Sequence, residues 1–313
     1  MTLRMYKNRY VFFAISLLLF LIAGVALAIN GLALDIQFKG GTILKYSYQG
    51  EVDTALAQNA VDAASGRISN VQIQSNVAGG EQMLIINLAG DEAITTQEQE
   101  AITAALDESM PGREFSVAET RTVEPFIGAR FFRNGLIAIA LSFSLILIYV
   151  GFRFRKIGGL SAGTMAIIAL VHDALMVTAT FIVFKIPLND SFIAAVLTII
   201  GFSINDTIVV YDRIRENKRI MGDKWSYEEL IDTSVTQSMT RSVNTSLAVL
   251  VSITIVYIFA QINGIESIRS FALPMMIGTV SDCYSTICIA GPLWAMWKNH
   301  RLKAREKQKM ARA

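Results

Sequence analysis

A carboxylate inside an apolar helix is the group in this 313-residue sequence best placed to do chemistry. Residues 191–219 begin as an apolar run, place Asn205 and Asp206 before the run ends, and only then become charged. At about 1.5 Å per residue, Asp206 lies roughly 10 Å inside Arg213, the first interfacial arginine. A carboxylate at that depth costs about 3 kcal/mol unless it is protonated, paired or hydrated, which predicts a functional group. The alternative is a side chain that reaches the cytoplasmic surface together with Asp212.

An arginine in the next apolar run supplies a candidate partner for this carboxylate. Gln237 and Asn244 lie on the same helical face as Arg241, at i−4 and i+3. The guanidinium stays charged at physiological pH, so it needs an anion inside the membrane. The two helices run antiparallel and place both groups at similar depth, which predicts an Asp206–Arg241 pair that opens when the carboxylate takes a proton. The alternative is an interfacial arginine that contacts lipid phosphate.

Two further apolar runs also carry ionisable side chains. His172 and Asp173 lie near the middle of the third run, and since adjacent helical residues point about 100° apart, we expect that both cannot face one partner. Asp282 lies in the last run, with Gly278 one turn earlier for close packing. Its polar neighbours are Ser281, Tyr284, Ser285 and Thr286. Polar faces on the third, fourth, fifth and sixth runs predict a shared internal seam, as in proton-driven transporters; a purely structural set of interhelical hydrogen bonds is the alternative.

The composition predicts a polytopic α-helical membrane protein. Hydrophobic residues make up 53% of the chain and charged residues 17%, which excludes an ordinary soluble domain. Six apolar runs are candidate transmembrane helices: residues 11–29, 135–150, 160–184, 191–211, 243–262 and 271–297. The net charge of +2 provides no general attraction for nucleic acid. Cys283 and Cys288 both lie in the last run and indicate neither a metal site nor a disulfide.

The short loops predict the orientation of the chain. Lysine and arginine precede the first run, fill the loops after the second and fourth runs, and crowd residues 298–313, whereas the opposite short loops hold only Lys185 and Arg269. By the positive-inside rule, both termini lie in the cytoplasm. The first run is long and lacks a small-residue cleavage site, so we expect a retained anchor. The predicted divisions are residues 1–30, a periplasmic domain at 31–130, the remaining helices at 131–297, and a basic tail at 298–313.

The predicted periplasmic domain has the periodicity of an α+β fold. Its predicted elements, in order, are a strand at 35–48 with a break at Gly40-Gly41, a helix at 51–65, strands at 70–77 and 83–88, a helix capped by Thr95 and Glu98 that stops at Pro111, and a strand at 115–123. The order βαββαβ predicts a ferredoxin-like sandwich. The domain has no His or Cys, so we expect binding or movement rather than catalysis. Gly40 and Gly41 predict either a hinge near the membrane or a plain bulge or turn.

Several phrases of the sequence resemble the SecF family of bacterial protein-export membrane proteins. The most specific is G-F-S-I-N-D-T-I-V-V-Y-D-R-I-R-E-N at residues 201–217. Similar phrases are D-I-Q-F-K-G-G-T at 35–42, V-H-D at 171–173, T-Q-S-M-T-R-S-V-N-T-S at 236–246 and G-T-V-S-D-C-Y-S-T at 278–286. The resemblance covers nearly the whole chain. It departs from the family at Asp282, where a small uncharged residue is expected, which leaves Asp282 without a family role.

The resemblance implies a member of the resistance-nodulation-division superfamily in the bacterial inner membrane, with six spans and a periplasmic domain between the first two. It implies a SecD partner and use of the proton-motive force to help draw preproteins through the SecYEG channel after SecA-driven entry. It implies neither an enzyme nor a cofactor, and the only other contacts expected are with membrane lipids. The family's intramembrane aspartate and arginine fall on Asp206 and Arg241. We assign proton coupling to Asp206, Arg241, His172 and Asp173, and supporting roles to Asn205, Asp212, Asn244 and Asp282.

Two other functions fit parts of the pattern less well. A small-molecule or lipid exporter of the same superfamily would need a substrate pocket in the membrane or large periplasmic domains, and one small domain argues against it. An intramembrane aspartyl protease would use Asp206 and Asp212 as its carboxylates. The chain lacks a second aspartate in a Gly-x-Gly-Asp setting, and Asp212 lies at the interface, which argues against protease chemistry.

Overall fold

The computed structural model describes residues 4–35, 38, 40–67, 69–75, 82–90, 93–123, 125–222, 224–263 and 265–310. The elements in chain order are α1 (Arg9–Asn30), β1 (Gly41–Ser47), α2 (Thr54–Ser65), β2 (Ser69–Ser75), β3 (Gln82–Ala89), α3 (Thr96–Ser109), β4 (Ser116–Val123), α4 (Pro125–Arg153), a 3₁₀ turn (Arg155–Ile157), α5 (Gly159–Val183), α6 (Asp190–Met221), α7 (Tyr227–Ile262), α8 (Glu266–Ser285), a π-helical turn (Thr286–Ala290) and α9 (Gly291–Met310). Within these ranges, six helical stretches are long and apolar enough to cross a membrane, in agreement with the six predicted runs.

The candidate spans form a bundle with an inner and an outer layer. Helices α5, α6 and α8 pack on one another at the centre, while α1, α4 and α7 pack around them and leave most of their surface exposed. Gly278 allows the central helices to approach closely, because a Cβ atom there would lie 2.7 Å from Ile199 and 2.9 Å from Val177. The predicted role of Gly278 in close packing is therefore confirmed.

The last span is longer and less regular than predicted. Helix α8 continues through the π-helical turn directly into α9, which extends to Met310 and so makes most of the basic tail helical. Pi turns inside long helices are found mostly at functional sites. Here the turn begins at Thr286, one helical turn after Asp282.

The β-strands form one antiparallel sheet in the order β2-β3-β1-β4, and the element order βαββαβ is as predicted. Apolar residues of β1 and β3 pack with α2 and α3 in a core that includes Leu44, Ile86 and Leu106. The predicted capping box at α3 is present: Thr95 and Glu98 exchange hydrogen bonds between side chain and backbone. The backbone and side-chain hydrogen bonds from Thr95 lower the pKa of Glu98, so the cap is ionised at neutral pH.

The first strand differs from its prediction. It begins at Gly41 instead of residue 35, because Gly40 and Gly41 have φ angles of +88° and +145° and interrupt the extended backbone. The preceding segment instead pairs with the loop between α5 and α6, where the Asp35 N–H donates to the Leu188 carbonyl at 2.9 Å. Residues 36, 37 and 39, which the prediction included in the strand, lie outside the described residues.

Candidate functional site

The densest polar cluster between the spans surrounds Asp173 on α5. This side chain is fully buried, and hydroxyl groups from two neighbouring helices donate to it. Ser281 donates to Oδ1, and Ser203 and Ser285 donate to Oδ2, each at 2.7 Å. Hydrogen bonds to a charged acceptor are shorter and stronger than those between neutral groups. Asp173 therefore joins α5, α6 and α8 through bonds that satisfy both of its oxygens.

A series of hydrogen bonds connects this cluster through His172 to α1. The Nδ1 atom of His172 lies 3.2 Å from Oδ1 of Asp173, and its Nε2 atom lies 3.1 Å from Oγ of Ser16. Ser16 in turn lies 3.0 Å from the hydroxyl of Tyr284, which donates to the carbonyl of Phe12. A neutral ring with its proton on Nδ1 would donate to Asp173 and accept from Ser16. These hydrogen bonds connect the first span to the centre of the bundle.

The expectation that His172 and Asp173 cannot face one partner is wrong. Ser281 lies 2.7 Å from the Asp173 carboxylate and 3.4 Å from Nδ1 of His172. The two Cβ atoms do point in different directions on α5, but Ser281 of α8 lies in the angle between them. The ring of His172 is long enough to turn back toward the same hydroxyl.

Asp282, predicted as a supporting residue, lies within this seam. It is 3% exposed, and Thr286 in the π-helical turn donates to its Oδ1 at 3.4 Å. Thr286 also lies 3.2 Å from the hydroxyl of Thr207 on α6. Ser203 contacts Asp282 as well, so this serine bridges Asp282 and Asp173. The predicted seam therefore includes α5, α6 and α8, together with α1, which had not been predicted.

Asp206 is buried, but its surroundings differ from those of Asp173. It is 4% exposed, and its Oδ2 atom has no hydrogen-bond partner within the described part of the chain. A buried carboxylate oxygen without a donor is costly, and such groups in native proteins need an explanation. Asp206 lies close enough to Asp282 and to Arg241 for their charges to interact.

Asp206 and Arg241 lie on the adjacent helices α6 and α7 without direct contact, Asp206 buried and Arg241 exposed. No ion pair within 4.0 Å joins them, although the structure describes both residues. Asn217 of α6 donates to Ser234 and to Gln237 of α7, both at 2.9 Å, and this contact sets the antiparallel register. In that register the backbone of Arg241 lies about 6–10 Å short of Asp206 along the helix axis. The predicted ion pair stays a prediction, and the flexible arginine side chain is long enough to form it.

The remaining predicted residues lie apart from the seam. Asn205, Arg241 and Asn244 are exposed on the outer surface of α6 and α7. Asp212 lies at the end of the bundle, 3.3 Å from Arg153 and 2.8 Å from Arg215, so it belongs to an ion-pair group at the surface. Gly40 and Gly41 lie where the domain sheet begins. Within the described residues, no group of three or more His, Cys, Asp or Glu side chains could hold a metal ion.

Ser16 and Ser203 belong to the site but were not predicted from the sequence. Ser16 is the one buried residue of α1, and a single hydroxyl within an otherwise apolar helical face was the available signal. Ser203 lies three residues before Asp206, but the carboxylate it reaches is Asp173, on another helix. That pairing depends on how the helices pack, so no local pattern identifies it.

The chain matches a known family along most of its length. The model for "Protein export membrane protein SecD/SecF, C-terminal" matches residues 102–300. Protein translocase subunit SecF of Thermobaculum terrenum is 35% identical over 302 residues, which cover 93% of this chain and 92% of the relative. SecF of Synechocystis is 32% identical over 319 residues, with 96% of each chain covered.

Two solved structures have the same fold. The crystal structure of SecDF from Thermus thermophilus matches with a TM-score of 0.78 at 28% identity, over 96% of this chain and 39% of that chain. SecDF in a super-membrane-facing form matches with a TM-score of 0.70 at 30% identity, over 99% of this chain and 40% of the other. The chain thus spans about two fifths of the solved SecDF chains.

Proposed function

The chain belongs to the SecD/SecF family of protein export membrane proteins, and on that basis we propose that it is a proton-driven, SecF-type subunit of the Sec translocase. In this proposal it works with SecD in the bacterial inner membrane and promotes late steps of preprotein translocation through SecYEG, after SecA has started entry. Both termini lie in the cytoplasm, as the basic loops indicate. The general role in protein translocation is the one its relatives are named for.

The observation that carries the proton-coupling part of the proposal is the unsatisfied carboxylate of Asp206. Its Oδ2 atom is buried without a hydrogen-bond donor among the described residues, in a helix apolar enough to span a membrane. A proton would neutralise the group and remove most of the cost of burying it. Approach of the Arg241 guanidinium would stabilise the ionised form instead. Asp206 can therefore be satisfied either by binding a proton or by pairing with Arg241. A proton-coupling residue needs two such states.

A proton cycle at Asp206 can drive movement between α6 and α7. Protonation from the periplasmic side forms an O–H bond on Asp206 and releases Arg241; loss of that proton to the cytoplasm breaks the bond and restores the attraction. The contact of Asn217 with Ser234 and Gln237 holds the other end of the helix pair together and provides a pivot. One proton crossing about 150 mV releases roughly 3.5 kcal/mol, which shifts a two-state equilibrium a few hundredfold.

Polar side chains on the outward face of α6 and α7 support the presence of a protein partner within the membrane. Asn205, Arg241 and Asn244 are exposed in the chain alone. Contact of these side chains with lipid tails would leave their polar groups unsatisfied, and Arg241 would carry its charge into hydrocarbon. The solved SecDF chains are about two and a half times as long as the stretch that this chain matches. We assign the additional SecD part as the partner that covers this face.

The βαββαβ domain is the candidate moving part. We assign it a ferredoxin-like fold outside the cytoplasm, with Gly40 and Gly41 as its pivot. Gly40 immediately precedes β1 and Gly41 is its first residue, and both have positive φ angles at which other residues would be strained. The segment before these glycines is hydrogen-bonded to Leu188 in the loop between α5 and α6. A displacement of α6 would therefore move the segment that connects α1 to the domain.

The test compares Asp206→Asn with Asp190→Asn, a carboxylate in the first turn of the same helix. Each variant replaces the native subunit in cells, and pulse-chase labelling follows the export of a secreted precursor with and without a protonophore. Asp206→Asn should assemble with SecD at normal levels but lose the protonophore-sensitive part of export, because the amide cannot take up and release the proton. Asp190→Asn should export normally. Protonophore-sensitive export by Asp206→Asn at the normal rate would exclude the mechanism.

A further inference from the structure

A cavity at the end of the bundle lies where α4 ends, α5 begins and α9 passes. Its volume is about 600 Å³. One side of it is apolar and continues the outer surface of the spans, with Ile148, Phe152 and Leu160 in its lining. Phe152 is 63% exposed and Leu160 is 75% exposed, although both lie beside the ends of helices that are candidate membrane spans. The cavity is therefore open toward the position of lipid chains.

Glycine residues make room for this cavity. Gly151 and Gly159 bring α4 and α5 into backbone contact, because a Cβ atom on Gly159 would collide with the Gly151 carbonyl. Gly158 has a φ angle of +89°, and the ammonium group of Lys298 lies 2.2 Å from the position that a Cβ atom would occupy there. A side chain at any of these three positions would displace a neighbour or fill the cavity.

The other side of the cavity is basic. Arg155, Lys298 and Arg301 line it, and its described lining includes no acidic residue. Aromatic rings hold the three cations in place: Arg155 lies 4.7 Å above Phe152, Lys298 lies 5.5 Å above Trp294, and Arg301 lies 5.3 Å above Trp297. Among the residues that the structure describes, Arg155 and Arg301 form no ion pair with an acid.

We propose that this cavity binds one anionic phospholipid, with the phosphate at Arg155, Lys298 and Arg301 and the upper acyl chains along Ile148, Phe152 and Leu160. Basic cavities between spans on the cytoplasmic side are suited to anionic headgroups. An apolar wall that continues into the membrane distinguishes a lipid from a free anion, which would occupy only the basic side. The inference depends on the cavity and its charges and does not require the proton mechanism proposed above.

A neighbouring cavity supplies the contrast and the control. It has a volume of about 650 Å³ and also contains arginine and lysine, but Asp212 and Glu216 line it as well. Five basic residues line it against these two carboxylates, so its net charge is as positive as that of the first cavity, and Arg155 lines both. Phe152 is the one apolar side chain in its described lining, so it has no wall for acyl chains and should not hold a phospholipid. Lys156 and Arg219 line that cavity and are exposed, which makes them a matched pair for removing two charges a short distance away.

The experiment is native mass spectrometry of the purified full-length chain titrated with phosphatidylglycerol or with phosphatidylcholine. We expect one phosphatidylglycerol to bind and phosphatidylcholine to bind far more weakly. Arg155→Gln combined with Arg301→Gln should weaken phosphatidylglycerol binding about thirtyfold, since each basic residue near anionic lipid contributes roughly a factor of five. Lys156→Gln combined with Arg219→Gln should change it less than twofold. An equal loss in both double variants, or no loss in the first, would overturn the proposal.

Two further arms identify the occupant. Inorganic phosphate added in excess should leave the phosphatidylglycerol complex intact. If phosphate displaces the lipid, the cavity is a site for a free anion and the proposal is wrong. A photoreactive benzoylphenylalanine introduced at Leu160 and illuminated in intact membranes should give an adduct with the mass of a phospholipid. A cross-link from that position to a second copy of this chain or to another protein would overturn the assignment.

Discussion

Asp173 and Asp206 are two buried carboxylates in adjacent helices of one bundle, and their surroundings differ. Asp173 accepts hydrogen bonds at 2.7 Å from Ser203, Ser281 and Ser285, which hold it in a single arrangement. Asp206 has a buried oxygen without a donor in the described structure, and it lies near a cation that it does not touch. The first group is satisfied by fixed neighbours. The second can be satisfied by a proton or by the approach of Arg241.

This difference separates a structural role from a coupling role. A carboxylate with all its hydrogen bonds made has little to gain from taking a proton, since protonation would disturb the donors around it. A carboxylate that lacks a donor changes its interactions whenever its charge changes. We therefore propose a stabilising function for the inner seam around Asp173, in place of the proton coupling predicted for His172 and Asp173, and a proton-dependent function for the interface of α6 and α7.

The largest expected effect on stability is that of Asp173→Ala. Removing this acceptor takes a short hydrogen bond from each of three buried serine hydroxyls and a contact from His172, and it should lower the free energy of unfolding by about 3–5 kcal/mol. Unfolding by SDS in mixed micelles, followed by tryptophan fluorescence, measures the change. Asp212→Ala is the control, because its ion pairs with Arg153 and Arg215 are partly exposed and should contribute about 1 kcal/mol or less. Equal losses of unfolding free energy in the two variants would show that the buried Asp173 contributes no more to stability than the surface residue Asp212.

Gly278→Val should have the next largest effect. The added side chain would collide with Ile199 and Val177, which separates α8 from α5 and α6 and costs about 1–3 kcal/mol by overpacking. Gly201→Val is a matched control within a spanning helix, because nothing lies within 4 Å of the position a Cβ would occupy there. The same unfolding assay compares them. If Gly201→Val is as damaging as Gly278→Val, close packing at the seam is not the cause.

Ser16→Ala should have the smallest of these effects. It removes the hydroxyl between His172 and Tyr284 that ties α1 to the centre, and should cost about 1 kcal/mol. Ser144→Ala removes a hydroxyl that bonds only to the carbonyl of Ala140 in its own helix, and should be nearly neutral. The difference between the two variants in the unfolding assay measures the contribution of the α1 contact. A neutral Ser16→Ala would limit the seam to α5, α6 and α8.

Much of the fold follows from local patterns in the sequence. The apolar runs predicted the spans because length and hydrophobicity alone decide whether a helix can cross a membrane. The capping box at Thr95 and Glu98 was predictable since its partners are three residues apart. The strand begins later than predicted: Asp35, Phe38 and Gly40 are not in a strand, and the positive φ angles of Gly40 and Gly41 interrupt the extended backbone where β1 begins.

The residues of the site could be predicted from the sequence better than the contacts between them. The cost of burying a charge is enough to identify Asp173, Asp206 and Asp282 from the apolar residues that flank them in the chain. Which hydroxyls reach which carboxylate depends on how three helices pack, and Ser203 beside Asp206 in sequence bonds Asp173 instead. The seam was also expected to include the polar face of α7, but Arg241 and Asn244 are exposed on the outside. Hydrophobic periodicity does not show which outer face another subunit covers.

The most direct test of the account is the protonation of Asp206 itself. Infrared difference spectra between acidic and alkaline pH, recorded on the protein with ¹³C-labelled aspartate carboxyl groups in lipid vesicles, show which carboxyl groups gain a proton. Acidification protonates every labelled aspartate that titrates in this range, so we predict that one component of the protonated-carboxyl band is lost in Asp206→Asn and kept in Asp212→Asn. A band that is unchanged in Asp206→Asn would contradict the account, because the proton would then bind elsewhere.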